Sequence, residues 1–171
     1  MKIFRTSAVA VFIFFMCMTG QSFAEENRKK VIGFIPMTMS NEYFVIMVNA
    51  ARSEAEKHHA ELLVQSGRIH RSGDEQEDII ENMMAEGVDA ICIVPSSGGV
   101  IRKLLKVQRA KIPIINIDTK VNQEAMKILG LAPIPYIGTN NYEGAKMGGE
   151  YAVSSLGISG KKLAILIGIS Q

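Results

Sequence analysis

Cysteine, aromatic residues and net charge are all scarce in this sequence. Its 171 residues include two cysteines and no tryptophan, and the aromatic share is 6%. Lys and Arg number 19 against 17 Asp and Glu, a formal charge of +2. So small an excess argues against a nucleic-acid partner, which calls for a basic surface. Nor is there an apolar run long enough to span a bilayer, which takes roughly 20 residues. The longest such run centres on residues 8–18. At 47% hydrophobic and 21% charged, the chain is too apolar for disorder and too charged for a multi-span membrane protein.

The totals mix two segments. Lys2 and Arg5 precede an uncharged stretch that ends in Gly20-Gln21-Ser22-Phe23-Ala24, just before Glu25. A basic start, a short apolar heart and small residues two apart are the layout of a cleaved secretory signal peptide. Residues 1–24 are therefore expected to be a signal peptide that directs export and is cleaved. A lipid-anchored variant fits poorly, because Cys17 follows Phe14-Phe15-Met16 instead of small residues. The leader holds two of the basic residues, none of the acidic ones and five of the seven Phe. The remaining segment is neutral, and its aromatics are Phe34, Phe44, Tyr43, Tyr136, Tyr142 and Tyr151. Cys92 is left alone, so no internal disulfide can form. Its place in an apolar run points to packing rather than reactivity.

Residues 25–171 alternate short apolar runs with amphipathic ones. Strands are expected at 31–35, 62–64, 90–94, 113–117, 136–138 and 163–167. Pro36 and Pro95 stop the first and third of these. Helices are expected at 42–59, 74–86, 100–109 and 142–155. The first carries Phe44, Met47, Val48, Ala51 and Ala55 on one stripe, with Ser40 or Asn41 as cap. Acidic residues crowd the start of the second, where the helix dipole favours them, and Gly87 can end it. Buried strands each followed by a helix predict an α/β, doubly wound parallel sheet. In such a sheet ligands bind beyond the carboxyl ends of the strands. The search for function thus narrows to the loops at 36–41, 95–99, 118–120 and 139–141.

Those loops do not suit an enzyme or a nucleotide site. No G-x-G-x-x-G follows the first strand, where the loop reads Pro36-Met37-Thr38-Met39-Ser40-Asn41. Gly160-Lys161-Lys162 precedes its strand and lacks the spacing of a phosphate-binding loop. Asp118 could accept a phosphoryl group only with further carboxylates for Mg²⁺, and the first strand ends without any. His58 and His59 read as a solvated helix end, and His70 is isolated. Neither catalytic residues nor a metal or cofactor is expected.

The same loops suit binding. Tyr43 and Phe44 lie side by side where the first strand turns into its helix, about 100° apart around the axis. Phe44 fits the inner stripe, and both a core role and a ligand role stay open for it. Tyr43 lies off the stripe and is the better candidate for ligand. An aromatic face matches the C–H face of a sugar ring, and Asn41 can both donate to and accept from hydroxyls. Asp118 ends the fourth strand, where a carboxylate can accept from two vicinal hydroxyls. With strand order 2-1-3-4-5, the first and fourth strands stand two spacings apart, roughly 10 Å, the span of a sugar ring.

The sequence resembles the ribose-type periplasmic sugar-binding proteins. The resemblance is carried by Ile32-Gly33-Phe34-Ile35-Pro36 and Ser40-Asn41-Glu42-Tyr43-Phe44, then Gln76-x-x-Ile79-Ile80-Glu81-Asn82. It continues through Gly87-Val88-Asp89-Ala90-Ile91, Ile112-Pro113-Ile114-Ile115-Asn116-Ile117-Asp118 and Ile137-Gly138-Thr139-Asn140-Asn141. The resemblance implies a type I periplasmic binding protein, a monomer of two lobes that captures a monosaccharide and hands it to the membrane subunits of an ABC importer. It implies ligand contacts at Asn41, Tyr43, Phe44, Asp118 and Thr119, and a hinge at Thr139 and Asn140. Ribose binders carry arginine after the aspartate. Thr119 is closer to allose- or psicose-type binders.

Two lobes of ordinary size need roughly 270–300 residues. The expectation is therefore a signal peptide at 1–24, an N-terminal sugar-binding lobe at 25–139 and an incomplete start of a second lobe at 140–171. This exact chain is expected to bind sugar weakly or not at all, with residues 141–171 poorly packed. The competing readings are a sensor that presents sugar to a chemoreceptor or histidine kinase, and an inactive truncated product.

Overall fold

The computed structural model describes residues 28–68, 73–157, 159, 160, 162 and 164. The expected leader, Cys17 and His70 lie outside the described residues, as does the expected strand at 163–167 apart from Ala164. The chain divides into two units, Met1–Ile137 and Gly138–Gln171.

In the first unit, strand and helix alternate. They run β1 (Val31–Ile35), α1 (Glu42–Lys57), β2 (Glu61–Val64), α2 (Gly73–Ala85), β3 (Ala90–Ile93), α3 (Val100–Arg109), β4 (Ile114–Ile117), α4 (Gln123–Ile128) and β5 (Tyr136–Ile137). The five strands form one sheet in the order β2-β1-β3-β4-β5. Every pairing is parallel, with Gly33 opposite Leu63 on one side and Ile91 on the other. The order reverses at β1, so its carboxyl end lies at the switch point where such sheets bind ligands.

The sheet is doubly wound because its strands alternate. Ile35, Ile91, Ile93 and Ile114 turn to one face and join Ile80 and Met83 of α2, Leu104 and Val107 of α3, and Met126 of α4. Phe44 of α1 packs instead with Met37 and Val94, and half-buried Met47 and Ile117 join them. Burial of each large aliphatic side chain stabilises by about 1.5–3 kcal/mol, and the first cluster supplies most of it. Gly33 lets α2 lie close: a Cβ there would meet Met83 Sδ at 2.9 Å. Cys92 is half-buried, and burial pushes its thiol pKa up.

Asparagine side chains cap α1 and α4, whereas Gly99 before α3 makes no side-chain cap bond. Asn41 is extended at the start of α1 and accepts from the backbone N–H of Tyr43. The expected stripe of α1 packs as read, with Phe44, Val48 and Ala55 buried. The sequence pattern marks no element within residues 118–135, yet they contain α4. Its cap is Asn122, which accepts from Ala125 N–H at 2.9 Å. Val121, Met126 and Leu131 anchor the segment in the core. Six residues show too little periodicity for a helix to be read.

Of the second unit, the described part is mainly α5 (Asn141–Leu156). Asn140 caps it by accepting from Glu143 N–H at 3.2 Å, and Gly157 ends it at φ +70. No residue of α5 is buried, and Tyr142, Met147 and Tyr151 are exposed.

Candidate functional site

Three strand-to-helix loops of the first unit extend from the carboxyl ends of β1, β3 and β4. Each is shaped by a polar side chain buried beneath it, as buried polar groups require partners. Below the β1–α1 loop, Thr38 is buried. Its Oγ1 accepts from Ser40 N–H at 3.2 Å and lies 3.0 Å from Ser40 Oγ. The loop after β3 rests on Gln76 of α2, 1% exposed. Gln76 donates to the Val94 carbonyl at 2.9 Å and accepts from Ser96 N–H at 2.8 Å.

Asn116, 2% exposed, organises the loop after β4. Its Nδ2 donates to the Thr119 carbonyl at 2.7 Å and its Oδ1 accepts from Val121 N–H at 2.9 Å. These bonds draw residues 117–121 into a tight arch with Asp118 near its start. Asp118 has φ +60, the left-handed region that side chains enter at a cost. Its backbone N–H donates to Ile137 O at 2.8 Å, and its carbonyl accepts from the Tyr136 hydroxyl at 2.7 Å. β5 therefore secures both backbone polar groups of Asp118.

The Asp118 carboxylate meets the first loop. Tyr43 OH donates to Oδ1 at 3.1 Å, and Thr119 Oγ1 donates more weakly to Oδ2 at 3.4 Å. Tyr43 is 49% exposed and Asp118 is half-buried. Partial burial pushes the Tyr43 phenol pKa up, and the Asp118 hydrogen bond and charge add to the rise. Lys120 Nζ lies 4.9 Å above the Tyr136 ring, a cation–π contact at the edge of the same cluster.

Of the sequence-predicted site residues, Tyr43, Asp118 and Thr119 come together. Asn41 stands two residues from Tyr43 and uses its oxygen as the α1 cap, which leaves its amide N–H groups as donors. Phe44 is 3% exposed and packs edge-on to Tyr43, ring centroids 5.2 Å apart. Its side chain is buried against Met37 and Val94. Thr139 and Asn140 lie at the start of the second unit, where the Thr139 carbonyl accepts from Asn141 N–H.

Sequence reasoning assigns no roles to Asn116, Gln76 and Tyr136. The available signal for Asn116 is a lone amide inside the apolar strand Ile114-Ile115-Asn116-Ile117. Among the described residues, no three His, Cys, Asp or Glu side chains are grouped to hold a metal. The cluster is rich in hydroxyls and acceptors around an exposed aromatic face. That chemistry suits a neutral polyhydroxylated ligand.

Comparison with known proteins agrees with this chemistry. Residues 32–171 match the family model described as periplasmic binding protein domain. The D-ribose/D-allose-binding protein of Pseudomonas aeruginosa is 29% identical over 150 residues, 86% of this chain and 46% of that protein. The ribose import binding protein of Bacillus subtilis is 26% identical over 145 residues, 84% of this chain and 44% of that protein. A periplasmic solute-binding protein of an ABC transporter from Actinobacillus succinogenes, solved with bound D-allose, superposes with a TM-score of 0.71. It is 31% identical, over 75% of this chain and 45% of that one. The chain thus spans about half the length of the relatives it matches. Fold, loop chemistry and matched sequence converge: this chain belongs to the periplasmic binding protein family and resembles the N-terminal portion of its ribose- and allose-type sugar binders.

Proposed function

We propose that the protein is a non-enzymatic, exported receptor for a monosaccharide of the ribose, allose or psicose type. The observation that carries this is the pairing of Tyr43 and Asp118, an exposed aromatic ring at the start of α1 beside a half-buried carboxylate after β4. The ring would cover the C–H face of the sugar. The carboxylate would accept from its hydroxyls through charge-assisted bonds, the stronger kind. Asn41 and Thr119 would complete the contacts on this side, with Phe44 behind Tyr43. A second lobe would close over the ligand about a hinge at Thr139 and Asn140, and an ABC importer would receive the sugar in the periplasm. Matches to sugar-binding relatives over 86% of the chain support the ligand class.

The test is a thermal-shift screen with pentoses and hexoses. It is run on the 171-residue chain and on any longer product its gene encodes. A ligand that binds only the folded state adds about 2.7 kcal/mol of stability at a hundredfold excess over Kd. A clear rise with a pentose or hexose, reduced in D118A, supports the reading. No response to any sugar from either product defeats it. Import assays in a strain lacking the gene separate delivery to an importer from presentation to a chemoreceptor or kinase.

A further inference from the structure

We propose that Asn116 and Tyr136 are positioning residues that hold Asp118 in its ligand-receiving conformation before any ligand arrives. The inference deepens the sugar-receptor reading and rests on it for the role of the carboxylate. It starts from backbone geometry. Asp118 is one of three non-glycine residues with positive φ among the described residues. A side-chain-bearing residue stays there only when its surroundings over-determine it, and such strain concentrates at ligand sites.

The surroundings of Asp118 do over-determine it. Its N–H and C=O are both bound to β5, through Ile137 O at 2.8 Å and Tyr136 OH at 2.7 Å. The arch beyond it is closed on both sides by Asn116, at the Thr119 carbonyl and the Val121 N–H. Asn116 is fully buried and uses both ends of its amide, so it cannot rotate without leaving a buried group unpaired. Tyr136 is held in turn by Lys120 over its ring. Neither residue bonds to the Asp118 side chain. Both act on the backbone that aims it, so the carboxylate reaches Tyr43 and Thr119 from a fixed base. Fixing a binding group in advance spares the ordering cost at the moment of binding.

The deciding variant is Y136F, which removes one oxygen and keeps the ring beneath Lys120. Amide hydrogen exchange in the 171-residue chain reads the arch directly. Exchange of the bonded amides of Asp118 and Val121 should quicken about fivefold, while amides of β1 and β3 stay as in wild type, since one hydrogen bond is worth about 1 kcal/mol. N116A should quicken the same amides further. In the sugar-responsive form of the protein, Y136F should weaken affinity about five- to tenfold. In a D118G background no side chain remains to be aimed and glycine accepts positive φ. There Y136F should change affinity less than about twofold, the non-additivity expected of coupled residues. Unchanged exchange at 118–121 overturns the proposal. So does an affinity loss of equal factor with and without the Asp118 side chain. Wild-type protein that binds no sugar overturns the receptor reading and this one with it, whereas sugar binding indifferent to Y136F overturns this one alone.

Discussion

The hydroxyl of Tyr43 donates to Oδ1 of Asp118 at 3.1 Å, joining the first turn of α1 to a loop 75 residues away in sequence. One lies after β1 and the other after β4, and the parallel sheet brings their ends to the same edge. The bond couples the ionisation of the phenol to the carboxylate.

That coupling is visible in a pH titration. Burial first, and then the Asp118 bond and charge, raise the Tyr43 pKa above its ordinary value near 10. For a raised acid the neutral form is the favoured one. The contribution to stability is therefore complete below about pH 10 and lost as pH rises through the higher folded value. Phenolate absorbance near 295 nm should show the Tyr43 component at higher pH in wild type than in D118N. It should vanish in Y43F. Identical curves for wild type and D118N would show that the bond does not form in solution.

Asp89 provides the opposite sign. The backbone N–H of Val31 donates to it at 2.8 Å, and Lys30 and Arg28 add ion pairs, all lowering its pKa. Its contribution is present above the unfolded carboxylate value near 4 and is lost as pH falls through the lower folded value. Urea midpoints should fall between neutral and acid pH more steeply for wild type than for D89N. Parallel profiles would contradict the assignment.

Gln76→Leu keeps the approximate volume and deletes the amide. The Val94 carbonyl and Ser96 N–H lose their Gln76 partner beneath the β3–α3 loop. A loss of about 1–3 kcal/mol is expected from one stranded buried group. Thermal unfolding measures it, and a midpoint within a degree of wild type would mean that the loop re-forms its bonds elsewhere.

Leu104→Ala tests the main core. Leu104 is fully buried in the cluster that joins α2 and α3 to the sheet. Truncation there should cost about 2–5 kcal/mol through lost burial and the cavity left behind. Ile46→Ala, at an exposed position on α1, should stay within about 0.5 kcal/mol. Denaturant midpoints of the two variants give the comparison.

The strands and long helices are legible because their signals are local. Runs such as 31–35 and 90–94 end at prolines, and the stripe of α1 repeats over about three turns. A six-residue helix such as α4 carries no such repeat, and its place is set by Val121, Met126 and Leu131 reaching the core. Tyr43 and Asp118 can be named as candidates because loops after parallel strands are few. Their hydrogen bond cannot be read, since it depends on how two loops lean. For Phe44 the residue pattern leaves core and ligand roles open, and its packing against Met37 and Val94 is visible only in the structure. Tyr136 reads as a strand residue, and its hydroxyl bond to the Asp118 carbonyl belongs to the β4–β5 register.

By itself the sequence determined the alternation of strand and helix and the parallel, doubly wound class, because hydrophobic periodicity acts over a few residues. It also placed the chemistry-bearing residues at the carboxyl ends of particular strands. Only the tertiary structure decided that Asp118 takes a left-handed backbone, that Asn116 and β5 hold it there, and that Tyr43 meets its carboxylate. The physical reason is that each of these depends on hydrogen bonds closed across strands and loops, and so on the position of groups that no local pattern records.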